Sequence, residues 1–150
     1  MLVAVAAFTG MAVERSTPAA ATHFRADQTT WRLTGPNTVE FTLTTSFRAS
    51  YFPSVSGPGD TFSEGSLNFG DGASGTIGWT AVTLDAVNDV VTGVAVLTHT
   101  YASTGPFTVE MSNCCRLSYS NGHMNNGDGN IIVRSVIDLA TSTGGPISAI

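Results

Sequence analysis

The stretch "NTVEFTLTTSFR", Asn37 to Arg48, decides the fold class because its side chains alternate between apolar and polar. The apolar parity comprises Val39, Phe41, Leu43 and Phe47. The opposite parity carries Glu40, Thr42, Thr44 and Arg48. Successive side chains of a strand point to opposite faces, so this alternation predicts a strand with one buried face and one solvated face.

Further β-type runs lie on both sides of this strand. "TTWRLTG" precedes it and ends at the turn Gly35-Pro36-Asn37, which predicts a hairpin. "SLNFG", "TIGWTAVTL", "VVTGVAVLTHTY" and "FTVEM" follow, and none of them shows helical periodicity. "NIIVRSVIDL" is apolar on both parities, which predicts a strand covered on both faces. About seven to nine short strands predict an all-β fold, an antiparallel two-sheet sandwich.

The composition limits the classes of function. The chain has 150 residues, enough for a single domain, and carries a formal charge of -5 with six arginines and no lysine. Such a surface cannot neutralise a row of phosphates, so we predict no nucleic-acid binding. Thr, Ser, Gly and Asn take the place of charged residues, as is typical of solvated strands and turns.

The N-terminal segment predicts export. "LVAVAAFTGMAV", Leu2 to Val13, is apolar and uncharged, and it is too short to span a bilayer. Ala19 and Ala21 occupy the small-residue positions of a cleavage site, so residues 1–21 are predicted to be a signal peptide and residues 22–150 a single β-sandwich domain. An apolar first strand is the alternative. Export predicts a secreted or cell-surface protein with no membrane span in this segment.

Two glycine-containing segments mark one edge of the predicted core: "LNFGDG", Leu67 to Gly72, and "HTYASTGPFTVEM", His99 to Met111. In the first, we expect Phe69 to point into the core, Asp71 to bond to local backbone amides, and the glycines to adopt positive φ. In the second, Tyr101 lies at the entry to a corner, and the strand after it alternates inward and outward side chains.

Together these segments resemble the PKD (polycystic-kidney-disease) domain family. Its pattern is roughly an aromatic-Gly-Asp-Gly turn followed by His-x-Tyr, a glycine and an aromatic-Thr-Val strand. The matching residues are Phe69, Gly70, Asp71, Gly72, His99, Tyr101, Gly105, Phe107, Thr108 and Val109. The resemblance implies an immunoglobulin-like sandwich that serves outside the cell in spacing, adhesion or binding, and it implies no catalytic residue.

The motifs of catalysis and of cofactor binding are not matched. Gly70-x-Gly72-x-x-Gly75 has the spacing of a dinucleotide fingerprint, but a β run follows it where a helix is needed. The sequence contains neither G-x-S-x-G nor H-E-x-x-H. His99 is interpreted as a packed, hydrogen-bonded residue of the corner. We therefore predict no enzyme, no catalytic residue and no cofactor, with a spatially assembled hydrolase site as a third alternative.

The adjacent cysteines, Cys114 and Cys115, leave three alternatives open. A vicinal disulfide would shape the chain locally and would close almost no loop. The thiols could instead stay unpaired, or could pair with another chain. Metal capture is disfavoured because no second Cys or His pair supplies the remaining ligands.

The residues that follow, "NNGDGN", contain weak candidates for calcium binding: Asn126, Asp128 and Asn130. The EF-hand register fails, because no frame places glycine sixth and an acid twelfth. A plain Asn/Gly-rich hairpin loop is the favoured interpretation, so calcium remains only a possible ligand.

These features predict a non-catalytic, exported module for adhesion or binding, with an extracellular glycan or protein as its partner. The loops 53–65 and 112–130 are the predicted recognition surfaces, since sandwiches carry recognition in loops. Exposed aromatic residues in or beside them are the candidate ligand contacts: Tyr51, Phe52 and Tyr119. The alternative is a structural spacer or an assembly subunit of a surface layer or fibre, which self-associates through strand edges or cysteines.

Overall fold

A computed structural model describes residues 23–114 and 129–147 of the chain. This part is all-β, as predicted, with one turn of 3-10 helix at Ala49–Tyr51 and no α-helix. The strands are β1 (Phe24–Gly35), β2 (Thr38–Arg48), β3 (Thr61–Asn68), β4 (Ser74–Asp85), β5 (Val90–Thr100), β6 (Phe107–Asn113), β7 (Ile131–Ile137) and β8 (Gly144–Ile147). Within these ranges, no helix is long and apolar enough to cross a membrane. The predicted signal peptide, residues 1–21, lies outside them.

The eight strands form one antiparallel sheet in the order β7-β6-β3-β4-β5-β2-β1-β8. This differs from the expected two-sheet sandwich. The groups β7-β6-β3 and β4-β5-β2-β1 have the strand order of the two sheets of an immunoglobulin constant-type domain. Here β3 and β4 pair from Thr61↔Thr80 to Asn68↔Ser74 and join the two groups. A short turn between consecutive strands favours such a hairpin over separate sheets.

The sheet curls into a half-barrel around one apolar core. Strands β2 and β3 are three positions apart in the sheet, which would separate them by roughly 14 Å if it were flat. The ring centroids of Phe47 on β2 and Phe62 on β3 are nevertheless only 5.6 Å apart. Phe41 on β2 and Phe69, directly after β3, approach to 5.7 Å toward the other end of the sheet. The inner faces of the two strand groups therefore share one core.

Burial along β2 confirms the alternation that predicted this strand. Its four predicted inward residues, Val39, Phe41, Leu43 and Phe47, are all 0% exposed. Strand β7 does not follow its prediction of two covered faces. Val133 and Ile137 are buried, but Ile132 is 40% and Val136 is 64% exposed. The reason is that the described strands form one curled sheet around one core, so β7 has one face on the core and the other in solvent.

Antiparallel connection places the turns at two opposite ends of the sheet. The corner end holds the β1–β2 turn, the β3–β4 turn at 69–73, the β5–β6 connection at 101–106 and the β7–β8 connection. The loop end holds the connections 49–60, 86–89 and 114–130, of which residues 115–128 are outside the described part. The two segments predicted to carry recognition, 53–65 and 112–130, thus reach the same end.

Candidate binding site at the loop end

A β-bulge breaks the regular pairing of β3 near the loop end. The register of β3 with β4 shifts between Ser63 and Ser66, which leaves Glu64 and Gly65 as the bulged residues. Gly65 has φ 76, a conformation that glycine adopts without the steric cost of a side chain. The indole Nε1 of buried Trp79 donates to the Glu64 carbonyl oxygen at 2.9 Å and holds the bulge in place.

The bulge turns β3 away from β6 and opens a cleft between them. Pairing of β3 with β6 runs from Asn68↔Glu110 to Ser66↔Ser112 and goes no further. A cleft of about 390 Å³ lies beyond that point. From β3 it is lined by Glu64, Gly65 and Ser66. From the end of β6 it is lined by Ser112, Asn113 and Cys114, with Asn130 beside them.

Asn113 is the unusual side chain of this cleft. It is 4% exposed, yet within the described part of the chain neither its amide nitrogen Nδ2 nor its oxygen Oδ1 has a hydrogen-bond partner. A β-carbon at Gly65 would stand 3.3 Å from Asn113 Nδ2, so the glycine leaves room for the amide. Buried polar groups are almost always hydrogen-bonded, which makes an unpaired donor and acceptor at a cleft a feature that requires explanation.

An aromatic stack adjoins the cleft through Glu64. The ring of His23 lies against that of Tyr51, with centroids 3.8 Å apart and planes 11° apart. His23 is 4% exposed, and its Nε2 lies 3.3 Å from Oε1 of Glu64. Tyr51 is 49% exposed. One face of the tyrosine ring is thus supported by His23, while about half of the side chain remains open to solvent.

The predicted aromatic contacts therefore have different positions. Tyr51 lies on the surface at the loop end, whereas Phe52 is only 7% exposed and packs on Phe62 with centroids 4.4 Å apart. The expectation that Phe52 is exposed is wrong, because the 3-10 turn before it directs its ring into the core. Tyr119, the third candidate, lies outside the described residues.

The loop predicted at 53–65 also ends earlier than expected. Strand β3 begins at Thr61, and both Val55 and Phe62 are 8% exposed. Asp60 organises the preceding turn, since its Oδ2 accepts from the Ser56 and Gly57 amides at 2.7 and 3.1 Å. The bond from the Ser56 amide is the largest of the effects that lower the pKa of this carboxyl. Only the first part of the segment is therefore a true loop.

The cysteine pair and the calcium-binding candidates at the loop end lie only partly within the described residues. Cys114 is disulfide-bonded and Cys115 lies outside the described residues, so the vicinal pairing stays a prediction. Of the calcium candidates, Asn130 lines the cleft, while Asn126 and Asp128 lie outside the described part. Among residues 23–114 and 129–147, no three His, Cys, Asp or Glu side chains are grouped closely enough to hold a metal ion.

The structural motif residues converge at the corner end. The ring of His99 lies on that of Phe69, with centroids 4.1 Å apart and planes at 2°. Its Nε2 is 2.7 Å from Oδ2 of Asp71, and this hydrogen bond is the main reason that the pKa of Asp71 is lowered. The buried hydroxyl of Tyr101 donates to the Phe69 carbonyl at 3.0 Å. Burial, followed by the nearby Asp71 charge, raises the pKa of Tyr101.

The remaining motif residues complete this corner. The ring of Phe107 stacks on that of Tyr101, with centroids 4.1 Å apart. Gly70, Gly72 and Gly105 all have positive φ, at 86, 94 and 99. The corner end is thus a packed structural assembly, at the opposite end of the sheet from the cleft.

Sequence reasoning did not identify four residues that build the candidate site: His23, Glu64, Gly65 and Asn113. Glu64 and Gly65 fall within the predicted loop 53–65, and no sequence pattern marks where a bulge interrupts a strand. Asn113 occupies the inward parity of "FTVEMSN". A polar residue at a position where its neighbours are buried was the signal that could have marked it as a site residue. His23 precedes β1 and becomes significant only through its stack on Tyr51.

Fold and site together define an all-β domain with a polar cleft and an exposed aromatic residue at one end. A family model for the N-terminal region of integrin beta-like proteins A–E matches residues 25–140, so the chain belongs to this family. It is also 32% identical over 114 residues to integrin beta-like protein B of Dictyostelium discoideum. The resemblance to PKD domains stays a prediction.

The match to integrin beta-like protein B covers 72% of this chain and 6% of that relative, so the chain corresponds to a small part of the relative's length. No solved structure shows a significant match. The fold is therefore described from this chain's own strands.

Proposed function

We propose that this domain is a non-catalytic binding module that works outside the cell, on its surface or after secretion, and contributes to adhesion. Its family consists of the N-terminal regions of integrin beta-like proteins, and that name supports a role in contacts outside the cell. The predicted signal peptide supports the same location. The relative is much longer, so this proposal concerns the domain alone and not the activity of a whole protein.

The observation that carries this proposal is the convergence at the loop end. The ends of both predicted recognition segments meet in the cleft, at Glu64 and Gly65 on one side and Asn113 on the other. Exposed Tyr51 is linked to the cleft by His23, which stacks on the tyrosine ring and contacts Glu64. Polar groups that converge in a concave site, with a half-exposed aromatic ring nearby, support a role in recognition.

Adhesion of beads coated with the 150-residue chain tests the proposal. Attachment of these beads to cells and to matrix-coated surfaces is compared with that of beads coated with variants. We expect Tyr51→Ala and Asn130→Ala to lose attachment, because both side chains are exposed at the loop end. Val96→Ala, on the outer face of β5 and 58% exposed, is the control that keeps it. Unchanged attachment by both loop-end variants, with their fold verified by circular dichroism, would overturn the proposal.

Assembly through the edge of β7 is a second candidate function. Val136 is 64% exposed on this strand, and Ile132 is 40% exposed on the same face. Exposed apolar residues on an edge strand favour pairing with another chain. Val136→Lys is expected to abolish any concentration-dependent oligomer in analytical ultracentrifugation. A wild-type chain that stays monomeric across the accessible concentrations would contradict this alternative.

A further inference from the structure

We infer that the cleft between β3 and β6 is a binding site for an uncharged sugar, with the Asn113 amide as its main hydrogen-bonding group. The inference rests on the proposed function and gives the recognition site at the loop end a class of ligand. Three properties of the cleft lead to it: its polarity, the unpaired amide and the adjacent aromatic ring.

The described lining of the cleft is rich in hydrogen-bonding groups and carries negative charge. It offers the hydroxyls of Ser66 and Ser112, two asparagine amides and the Glu64 carboxylate, with no Lys or Arg among these residues. A phosphate, sulfate or sialic acid would enter without a compensating cation, which is costly in a partly buried site. A neutral polyol, in contrast, can donate to the carboxylate and exchange hydrogen bonds with the hydroxyls.

The Asn113 amide is matched to such a ligand. Its Nδ2 is a donor and its Oδ1 an acceptor, and among the described residues neither has a partner, although Asn113 is only 4% exposed. Each sugar hydroxyl can donate and accept, and an acetamido group carries one donor and one acceptor. A bound sugar would therefore satisfy both atoms at once. A buried amide without partners lowers the stability of the free protein. In this proposal the protein bears that cost because the amide serves to bind the ligand.

Tyr51 supplies the apolar surface that a sugar ring needs. His23 supports one face of the tyrosine ring and contacts Glu64 of the cleft, and about half of the tyrosine side chain is exposed. The C–H face of a pyranose packs on such a rigid aromatic surface, while its hydroxyls reach polar groups. A cleft of about 390 Å³ falls within the usual range for small ligands.

An extended peptide fits these observations less well. Peptides that bind sheets add a strand to an open edge and place alternate side chains in pockets. This cleft lies within the sheet between β3 and β6, and apart from Cys114 its described lining consists of polar residues and glycine. It therefore provides few apolar contacts for a side chain.

Saturation-transfer NMR on the 150-residue chain tests the inference, with chitobiose and lactose as neutral disaccharides and sialyllactose as a charged one. We expect transfer to at least one neutral sugar and weaker or no transfer to sialyllactose. Asn113→Leu, a near-isosteric change, is expected to weaken binding about tenfold to a hundredfold through the loss of two hydrogen bonds. Its thermal midpoint should equal or exceed that of the wild type, because an unpaired buried amide is removed. Ser66→Ala is expected to weaken binding to a smaller degree, and Val96→Ala to leave it unchanged.

The outcomes separate this inference from the proposed function. Absence of transfer to every neutral sugar, a preference for sialyllactose, or wild-type affinity in Asn113→Leu would each overturn the sugar site. If beads still attach in a Tyr51-dependent manner while no sugar binds, the adhesive function stands and its ligand is of another class, with an extended peptide the next to test. If neither binding nor attachment occurs, both proposals fail.

Discussion

Gly70 passes so close to Thr108 that a β-carbon at Gly70 would stand 2.5 Å from the Thr108 carbonyl oxygen. This approach brings the turn after β3 onto the start of β6 and closes the corner end. The glycine meets two separate requirements here, a positive φ of 86 and the lack of a side chain.

The two requirements can be separated by a matched pair of alanine substitutions. Gly72 has a similar φ of 94, but a β-carbon there would have nothing within 4 Å. We expect Gly72→Ala to lower the free energy of unfolding by about 1 kcal/mol through backbone strain alone. Gly70→Ala should cost about 3 kcal/mol or more, since it adds the clash. Equal losses in urea titrations of the two variants would contradict a steric role for Thr108.

The Tyr101 hydroxyl is expected to stabilise the corner through its bond to the Phe69 carbonyl. Tyr101 is 2% exposed, so Tyr101→Phe leaves the carbonyl buried without this partner. The change should lower the free energy of unfolding by about 1–3 kcal/mol. Tyr51→Phe is the control, because that hydroxyl belongs to a half-exposed side chain and its loss should cost little. A Tyr101→Phe variant as stable as the wild type in chemical denaturation would show that the bond contributes nothing.

The Asp71–His99 pair predicts acid sensitivity of the corner. The pKa of Asp71 is lowered below its usual 3.8, chiefly by the hydrogen bond to His99. A lowered carboxyl pKa contributes stability that is present above the unfolded value and is lost as pH falls through the folded value. Asp71→Asn should therefore be less stable than the wild type at mildly acidic pH, by about 1 kcal/mol or less for a partly exposed pair.

The difference between these two proteins should narrow as pH is lowered through 3.8 and further, when the wild-type carboxylate becomes protonated. Thermal midpoints measured along a pH series provide the test. A gap between wild type and Asp71→Asn that stays constant across this range would show that the ionised carboxylate is not what stabilises the corner.

The Trp79 indole is expected to keep the cleft open by holding the bulge. Trp79→Phe removes the bond to the Glu64 carbonyl together with part of a side chain that is 1% exposed. We expect a loss of about 2–3 kcal/mol in stability. Amide exchange at Gly65 and Ser66 should also become faster.

Trp31→Phe is the matched control for this experiment. Trp31 is buried at 6% exposure on β1, away from the bulge, so its replacement should reduce stability without faster exchange at these two amides. Similar exchange at Gly65 in both variants would mean that the indole bond does not determine the bulge.

Much of this architecture follows from short-range patterns. The alternation in "NTVEFTLTTSFR" predicts β2 and its buried face, since a strand repeats every two residues whatever its neighbours. The turn at Gly35-Pro36-Asn37 predicts the β1–β2 hairpin, and Asn37 indeed adopts a φ of 55. The aromatic-Gly-Asp-Gly and His-x-Tyr segments identify the residues of the corner, because their roles depend on local geometry and on side-chain size.

Other features were decided by contacts between distant segments. Whether β7 is covered on one face or both depends on whether another layer packs on the outer face of the sheet, and its own apolar sequence is compatible with either. Phe52 is buried by Phe47 and Phe62, which belong to strands on both sides of its loop. The continuous sheet likewise depends on how β3 and β4 pair, which the separate runs do not specify.

The candidate site shows this division most clearly. The sequence by itself predicted an all-β, lysine-free chain and proposed recognition segments at 53–65 and 112–130. Only the tertiary structure brought Gly65 against Asn113 and His23 between Tyr51 and Glu64. These contacts result from the bulge and from the curl of the sheet. Both arise from strand register and from packing between segments that are far apart in sequence. Local side-chain preferences, which are what a sequence pattern reports, do not encode that register.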